Sequence, residues 1–178
     1  MPKVTEEHLA ARRAQIVAAA RTCFTERGFA GTSVPDVVRA AGLSTGAVYR
    51  YFPSKDDLVR AVCEDVHDEL PTTFDEESLA RFFAALRELA GRGHAVLLAQ
   101  IHAAAAVTPE LADLVREQRA GLATTLTRAL EAERSPTAAA ERAQGFLAVC
   151  SGYQTVLATS DADPAPYVAA ASRVLRGR

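Results

Sequence analysis

The stretch that decides the fold is Gly28–Leu58, GFAGTSVPDVVRAAGLSTGAVYRYFPSKDDL. It holds two short helical patterns around a glycine. Ser33 can cap the first, with Asp36 three residues on in a capping-box arrangement and Pro35 in the first turn. Val34, Val37, Val38 and Ala41 share a face, and Gly42 ends the segment. Ser44 caps a second helix from Thr45 to about Phe52, which Pro53 breaks. Two short helices joined by a three-residue turn, Gly42-Leu43-Ser44, form a helix-turn-helix pattern.

Geometry divides the second helix. Val48 and Phe52 lie four apart and share a face. With them inward, Gly46 and Arg50 point outward and Ala47 and Tyr49 lie on the flanks. Small residues let such a helix approach a surface closely. Arg can reach guanine O6 and N7 in a bidentate fashion, while Tyr hydroxyls and Lys55 can hold phosphates. The competing reading makes Tyr49 and Tyr51 packing aromatics and Arg50 a solvated charge.

The flanks favour the first reading. The residues from Gly28 to Leu58 closely resemble the TetR (tetracycline repressor-like) family of transcriptional regulators. The shared features are the glycine and aromatic that close the first helix, Thr32-Ser33, Ala41-Gly42 plus an aliphatic residue, the Ser-x-Gly-x-aliphatic-Tyr run, the aromatic pair ending in Phe52, and Lys55 two residues past Pro53. Val38 stands where the family usually has Ala, a departure that concerns packing only. The resemblance implies an all-α fold of about nine helices and a homodimer on a palindromic operator in double-stranded DNA. It implies phosphate contacts at Thr32, Ser33 and Lys55, and a recognition surface of Thr45, Gly46, Ala47, Tyr49 and Arg50. Tyr51 takes a backbone-contact place. With Gly46 and Ala47 small, base readout falls on Thr45 and Arg50.

Around this stretch, helical periodicity runs throughout the 178 residues. A first helix is expected over Glu6–Arg27, closed by Gly28, and a fourth from Lys55 to about Glu69. Five more follow: Ser78 to Arg92, His94 to Ala106, Pro109 to about Arg134, one from the Ser135-Pro136 start to about Ser160, and Pro164 to Arg176. The expected division is a DNA-binding head over 1–54 and a ligand-binding and dimerisation body over 55–178, with the fourth helix as the lever between them.

Charge agrees with that division. Residues 1–60 carry nine Lys/Arg against six acids, whereas the remainder carries 11 against 16. A basic end on an acidic body fits an anionic partner for the head. Cys23, Cys63 and Cys150 show no zinc or disulfide spacing and read as small buried apolar residues in a reducing compartment. The start, MPKVTEEHLAARR, has no apolar signal-peptide core, and no run reaches the ~18 apolar residues of a membrane span. A cytoplasmic protein without a membrane partner or cofactor is expected.

The body offers a small-residue stripe. Gly145 and Gly152 are seven apart, beside Phe146, Val149, Tyr153 and Val156, and these six are the expected dimer interface. Burial of this helix within its own subunit is the alternative. An effector pocket is expected among Phe82, Phe83, Leu86, Leu98, Gln100, Ile101, His102, Val115, Arg119, Leu122 and Tyr153, for a mainly apolar small molecule. Taken singly, each polar residue in that set reads better as solvated or internally satisfied. No metal spacing, nucleophile elbow or glycine-rich phosphate loop points to catalysis. An adaptor that has lost DNA binding is the remaining class, and the intact Tyr49, Arg50 and Lys55 argue against it.

Overall fold

The computed structural model describes residues 5–68, 70–71, 73–131 and 134–177. Among these it shows nine helices: α1 Glu6–Arg27, α2 Val34–Ala41, α3 Thr45–Tyr51, α4 Lys55–Asp68, α5 Glu76–Gly91, α6 His94–Ala105, α7 Pro109–Glu131, α8 Pro136–Leu157 and α9 Ala165–Arg176. They form two compact units, residues 1–65 and 66–178, with α4 running across the boundary. The expected end of the fourth helix at Glu69 lies outside the described residues, and α7 ends at Glu131 rather than at Arg134.

In the first unit α1 supplies Ile16, Ala20, Cys23 and Phe24 to a core completed by Val37, Val48, Phe52, Leu58 and Val62. Two polar ties fix the register of its helices, and a cap starts α1. Gln15 Nε2 donates to Ala41 O at the end of α2 (2.8 Å). The Arg13 guanidinium lies 5.6 Å from the Phe52 ring centre, within cation–π range. Thr5 caps α1 by accepting from the His8 amide.

The second unit packs α8 among α5, α6, α7 and α9. Its centre is aromatic. Phe82, Phe83 and Phe146 meet one another, and Phe83 meets Tyr153 edge-on at 5.4 Å between ring centres. Tyr167 of α9 closes on Tyr153 at 4.4 Å. The buried Tyr153 hydroxyl donates to Ala162 O, so its polar end is satisfied. Arg87 of α5 clasps Asp161 through two hydrogen bonds of 2.6 Å, pinning the α8–α9 connection.

Some helix ends differ from the sequence reading. α5 begins at Glu76 rather than Ser78, because Asp75 is the cap. Its carboxylate accepts from the Ser78 amide (2.8 Å) and hydroxyl (3.0 Å). The Ser78 amide first, then the Thr73 and Ser78 hydroxyls, hold the Asp75 carboxyl down at about 2. α8 stops at Leu157, before Ser160, and α9 starts at Ala165. Cys23 and Cys150 are buried as expected, but Cys63 is only partly covered.

Candidate nucleic-acid interface

The α2–α3 pair is built by its caps. Ser33 Oγ accepts from the Asp36 amide while Asp36 accepts from the Ser33 amide, a complete capping box. Gly42 closes α2 at φ 63° and ψ 28°, and its amide donates to Arg39 O. An L side chain there would meet the left-handed penalty, which is why glycine makes this turn. Ser44 then caps α3 through the Ala47 amide (3.3 Å).

α3 divides as its spacing predicts. Val48 and Phe52 are buried against the core. Thr45, Gly46 and Arg50 are exposed and Tyr49 is 41% exposed, while Ala47 and Tyr51 are half-covered. A Cβ built on Gly46 meets nothing within 4 Å. No atom of the described residues therefore requires glycine at this helical position, and its smallness leaves room for something outside the molecule.

The three residues expected at phosphate are more committed than the sequence suggested. Thr32 is 3% exposed. Its hydroxyl lies within hydrogen-bonding distance of Cys23 O (3.0 Å) and Gly28 O (2.9 Å), and its amide donates to Phe29 O. Thr32 thus latches the end of α1 to the start of α2, and neither of its donors faces outward. Beside it, a Cβ on Gly31 would sit 2.6 Å from Arg27 O, so only glycine passes this point. Ser33 is exposed, but its amide and hydroxyl both donate to Asp36. Lys55 folds back: Nζ donates to Phe29 O and lies 3.9 Å from the Phe29 ring centre. Its partial burial lowers its pKa, with Asp56 opposing. An ammonium has three donors, so two remain for a phosphate.

In the second unit the expected interface residues split. Phe146 and Tyr153 are fully buried in their own core and cannot meet a partner. Gly145 serves α9 of the same chain, since a Cβ there would sit 2.7 Å from Val174 Cγ1. Val149 is half-buried against the core. Gly152 and Val156 are exposed, with open space at the Gly152 Cβ position. The stripe read from the sequence therefore spans two faces of α8.

The expected pocket residues also divide. Phe82, Phe83, Leu86, Ile101 and Tyr153 are buried, whereas Leu98, Gln100, Val115 and Leu122 are half-buried. His102 and Arg119 lie outermost. Arg119 Nη1 lies 3.4 Å from Ser151 Oγ on α8. Desolvation and then the Arg119 charge depress the His102 pKa. An open groove of about 500 Å³ lies elsewhere, between α5 and α9, and is lined by Glu76, Ala80, Val168, Ala169, Ser172 and Arg173 among others. None of the expected lining residues borders it. Among the described residues no group of three or more His, Cys, Asp or Glu is placed to hold a metal, and no helix is long and apolar enough to cross a membrane.

A capped helix-turn-helix with an exposed second helix defines a class, the nucleic-acid-reading head. Comparison with known proteins gives the family. Residues 16–62 match the family described as bacterial regulatory proteins, tetR family. The HTH-type transcriptional repressor Rv1474c of Mycobacterium tuberculosis is 40% identical over 79 residues, covering 44% of this chain and 42% of the relative. The fold extends further than the sequence likeness. Salmonella enterica GusR superposes with a TM-score of 0.72 over 99% of this chain and 98% of that one, at 22% identity. A transcriptional regulator from Rhodococcus sp. Rha1 gives 0.63 over 93% and 94%, at 25% identity. Residues 16–62 thus match the tetR family of bacterial regulatory proteins, and beyond them the likeness is one of fold. The chain's match spans less than half the length of the curated relatives, 42%, 33% and 44% for three of them.

Proposed function

We propose that this protein is a ligand-responsive transcriptional repressor. A homodimer binds a palindromic operator through α3 and is released by a small effector in the second unit. The observation that carries the DNA reading is the outer face of α3. Thr45, Gly46, Tyr49 and Arg50 stand exposed on a helix whose inner face is locked by Val48 and Phe52. Thr45 and Arg50 read base edges, and Tyr49, Tyr51 and Lys55 grip the backbone. Ser33 contributes a phosphate contact at the start of α2. Residues 1–54 act as the reader and 55–178 as sensor and dimeriser.

Dimerisation supplies the second half-site, about 34–36 Å away or a multiple of that on one face of the duplex. The exposed Gly152 and Val156 are the part of the expected stripe left for a partner subunit. The effector is mainly apolar, held among the half-buried Leu98, Gln100, Val115 and Leu122 with His102 and Arg119 at its polar end. It acts by favouring one spacing of the two heads through α4. The test is to select genomic fragments retained by the full chain, measure their size and symmetry, and screen compounds for release. Selection of no sequence above random DNA would defeat the reading. A monodisperse monomer on bound DNA would remove the dimer.

A further inference from the structure

Four groups converge on one carboxylate at the start of α2. Asp36 accepts from the Ser33 amide (2.8 Å) and the Ser33 hydroxyl. It also accepts from Arg27 Nη1 at the end of α1 (3.1 Å) and from Arg39 Nη2 one turn further along α2. The side chain of Asp36 is 15% exposed, whereas those of Arg27 and Arg39 are 54% and 70% exposed. The Ser33 hydroxyl, the Ser33 amide and the two guanidiniums all hold the carboxyl below its ordinary range, the hydroxyl most. The cluster thus carries two cations around one anion.

A capping box needs only Ser33 and the acceptor at Asp36. The two arginines exceed that need. Exposed ion pairs contribute roughly 0–1 kcal/mol, so neither guanidinium is held firmly. Each has five N–H donors, most of them unused by Asp36. In helix-turn-helix proteins the first helix crosses the sugar–phosphate backbone while the second enters the groove. The cluster sits at the start of that first helix.

We propose that Arg27 and Arg39 are two further phosphate-binding residues, and that Asp36 acts as an internal anion that holds them and Ser33 until a DNA phosphate takes its place. This rests on the DNA-binding reading above. An arriving phosphate competes with the carboxylate for the Ser33 donors and both guanidiniums, and it is repelled by the carboxylate itself. Asp36 therefore lowers affinity for any sequence alike. It restrains non-specific binding and leaves base discrimination to α3.

The test is D36N. The amide oxygen can still accept from the Ser33 amide, so the cap is kept while the charge is removed. Binding to the selected operator and to random duplex is titrated from 50 to 300 mM salt. The expected result is tighter binding to both by a similar factor. The plot of log K against log salt should steepen by about one unit, since the lost carboxylate no longer offsets one neutralised phosphate and each of these adds about 0.9. The double variant R27Q/R39Q, with Asp36 kept, should flatten that slope. Both arginines are exposed, so this variant folds even if D36N does not. A parent that binds DNA, with R27Q/R39Q leaving its slope unchanged, overturns this inference alone. So does a folded D36N with unchanged affinity. A parent that binds no duplex overturns the DNA reading as well.

Discussion

Gly46→Ala separates what α3 does for the fold from what it does for DNA, because the two effects have opposite signs. Gly46 is the second residue of α3, and its φ is not in the left-handed region. A methyl added there meets nothing within 4 Å. In the free protein the substitution only narrows the unfolded ensemble and improves helix propensity. The gain is about 1 kcal/mol in a helix interior and about 0.4–1 kcal/mol at compatible sites generally. So near the start of a seven-residue helix about 0.5 kcal/mol is expected. On DNA the same methyl stands on the face that approaches the groove. It holds the helix off the base edges and disturbs the Arg50 contact. Loss of one well-made base contact costs about 1–3 kcal/mol, or roughly 5- to 150-fold in affinity.

Urea unfolding and an anisotropy titration with the selected operator at fixed salt give both numbers. Gly42→Ala is the control. It too has open space around the Cβ position, but its φ is 63°. It should therefore lose about 1–2 kcal/mol of stability. If Gly46→Ala stabilises the protein and leaves operator affinity within twofold, the start of α3 does not face DNA and the assignment of that surface is wrong. If it destabilises the protein, the open space at Gly46 is not there.

Arg50→Ala should leave urea stability within about 0.5 kcal/mol, because the side chain is exposed. Operator affinity should fall by about 1–3 kcal/mol with specificity relaxed at one base pair, and random DNA should be held as before; equal losses on both would make it a phosphate contact. Thr32→Val should lose about 1–2 kcal/mol of stability, since it strips the donor from carbonyls at the end of α1. Thr32→Ser should recover most of that, and a Val variant as stable as the parent would remove the latch. Gly145→Ala should destabilise by about 1–3 kcal/mol, because its Cβ would press on Val174. The pair G145A/V174A should recover much of the loss, and an unaltered single variant would show that Val174 turns aside freely.

The order of helices was legible because the punctuation is local. Ser33, Pro35, Gly42 and Ser44 act within a turn of where they stand, so their identity is close to sufficient. The start of α5 was less legible. FDEES holds two competent caps, Asp75 and Ser78, and a sequence does not say which one turns the chain. Asp75 wins because its carboxylate collects both the amide and the hydroxyl of Ser78, making the second candidate a partner of the first.

The stripe on α8 was ambiguous for a different reason. Residues 145, 149, 152, 153 and 156 recur at helical spacing, but that spacing covers an arc wide enough for two neighbours. Whether Gly145 admits a partner subunit or α9 of its own chain depends on where Val174 arrives, 29 residues later. Phe146 and Tyr153 are claimed by Phe83 and Tyr167 in the same way. Similar reasoning applies to the phosphate grip. Residue type gives the capacity of Thr32, Ser33 and Lys55 to donate, and the fold decides what already receives. Thr32 is taken by α1, Ser33 by Asp36 and Lys55 by Phe29. Two of these three bonds are to carbonyls or carboxylates near the surface and can be exchanged, while the one at Thr32 is buried. That difference divides the three expected contacts into one structural latch and two groups for which DNA must compete. Affinity then depends on the strength of the internal partner as well as on the donor.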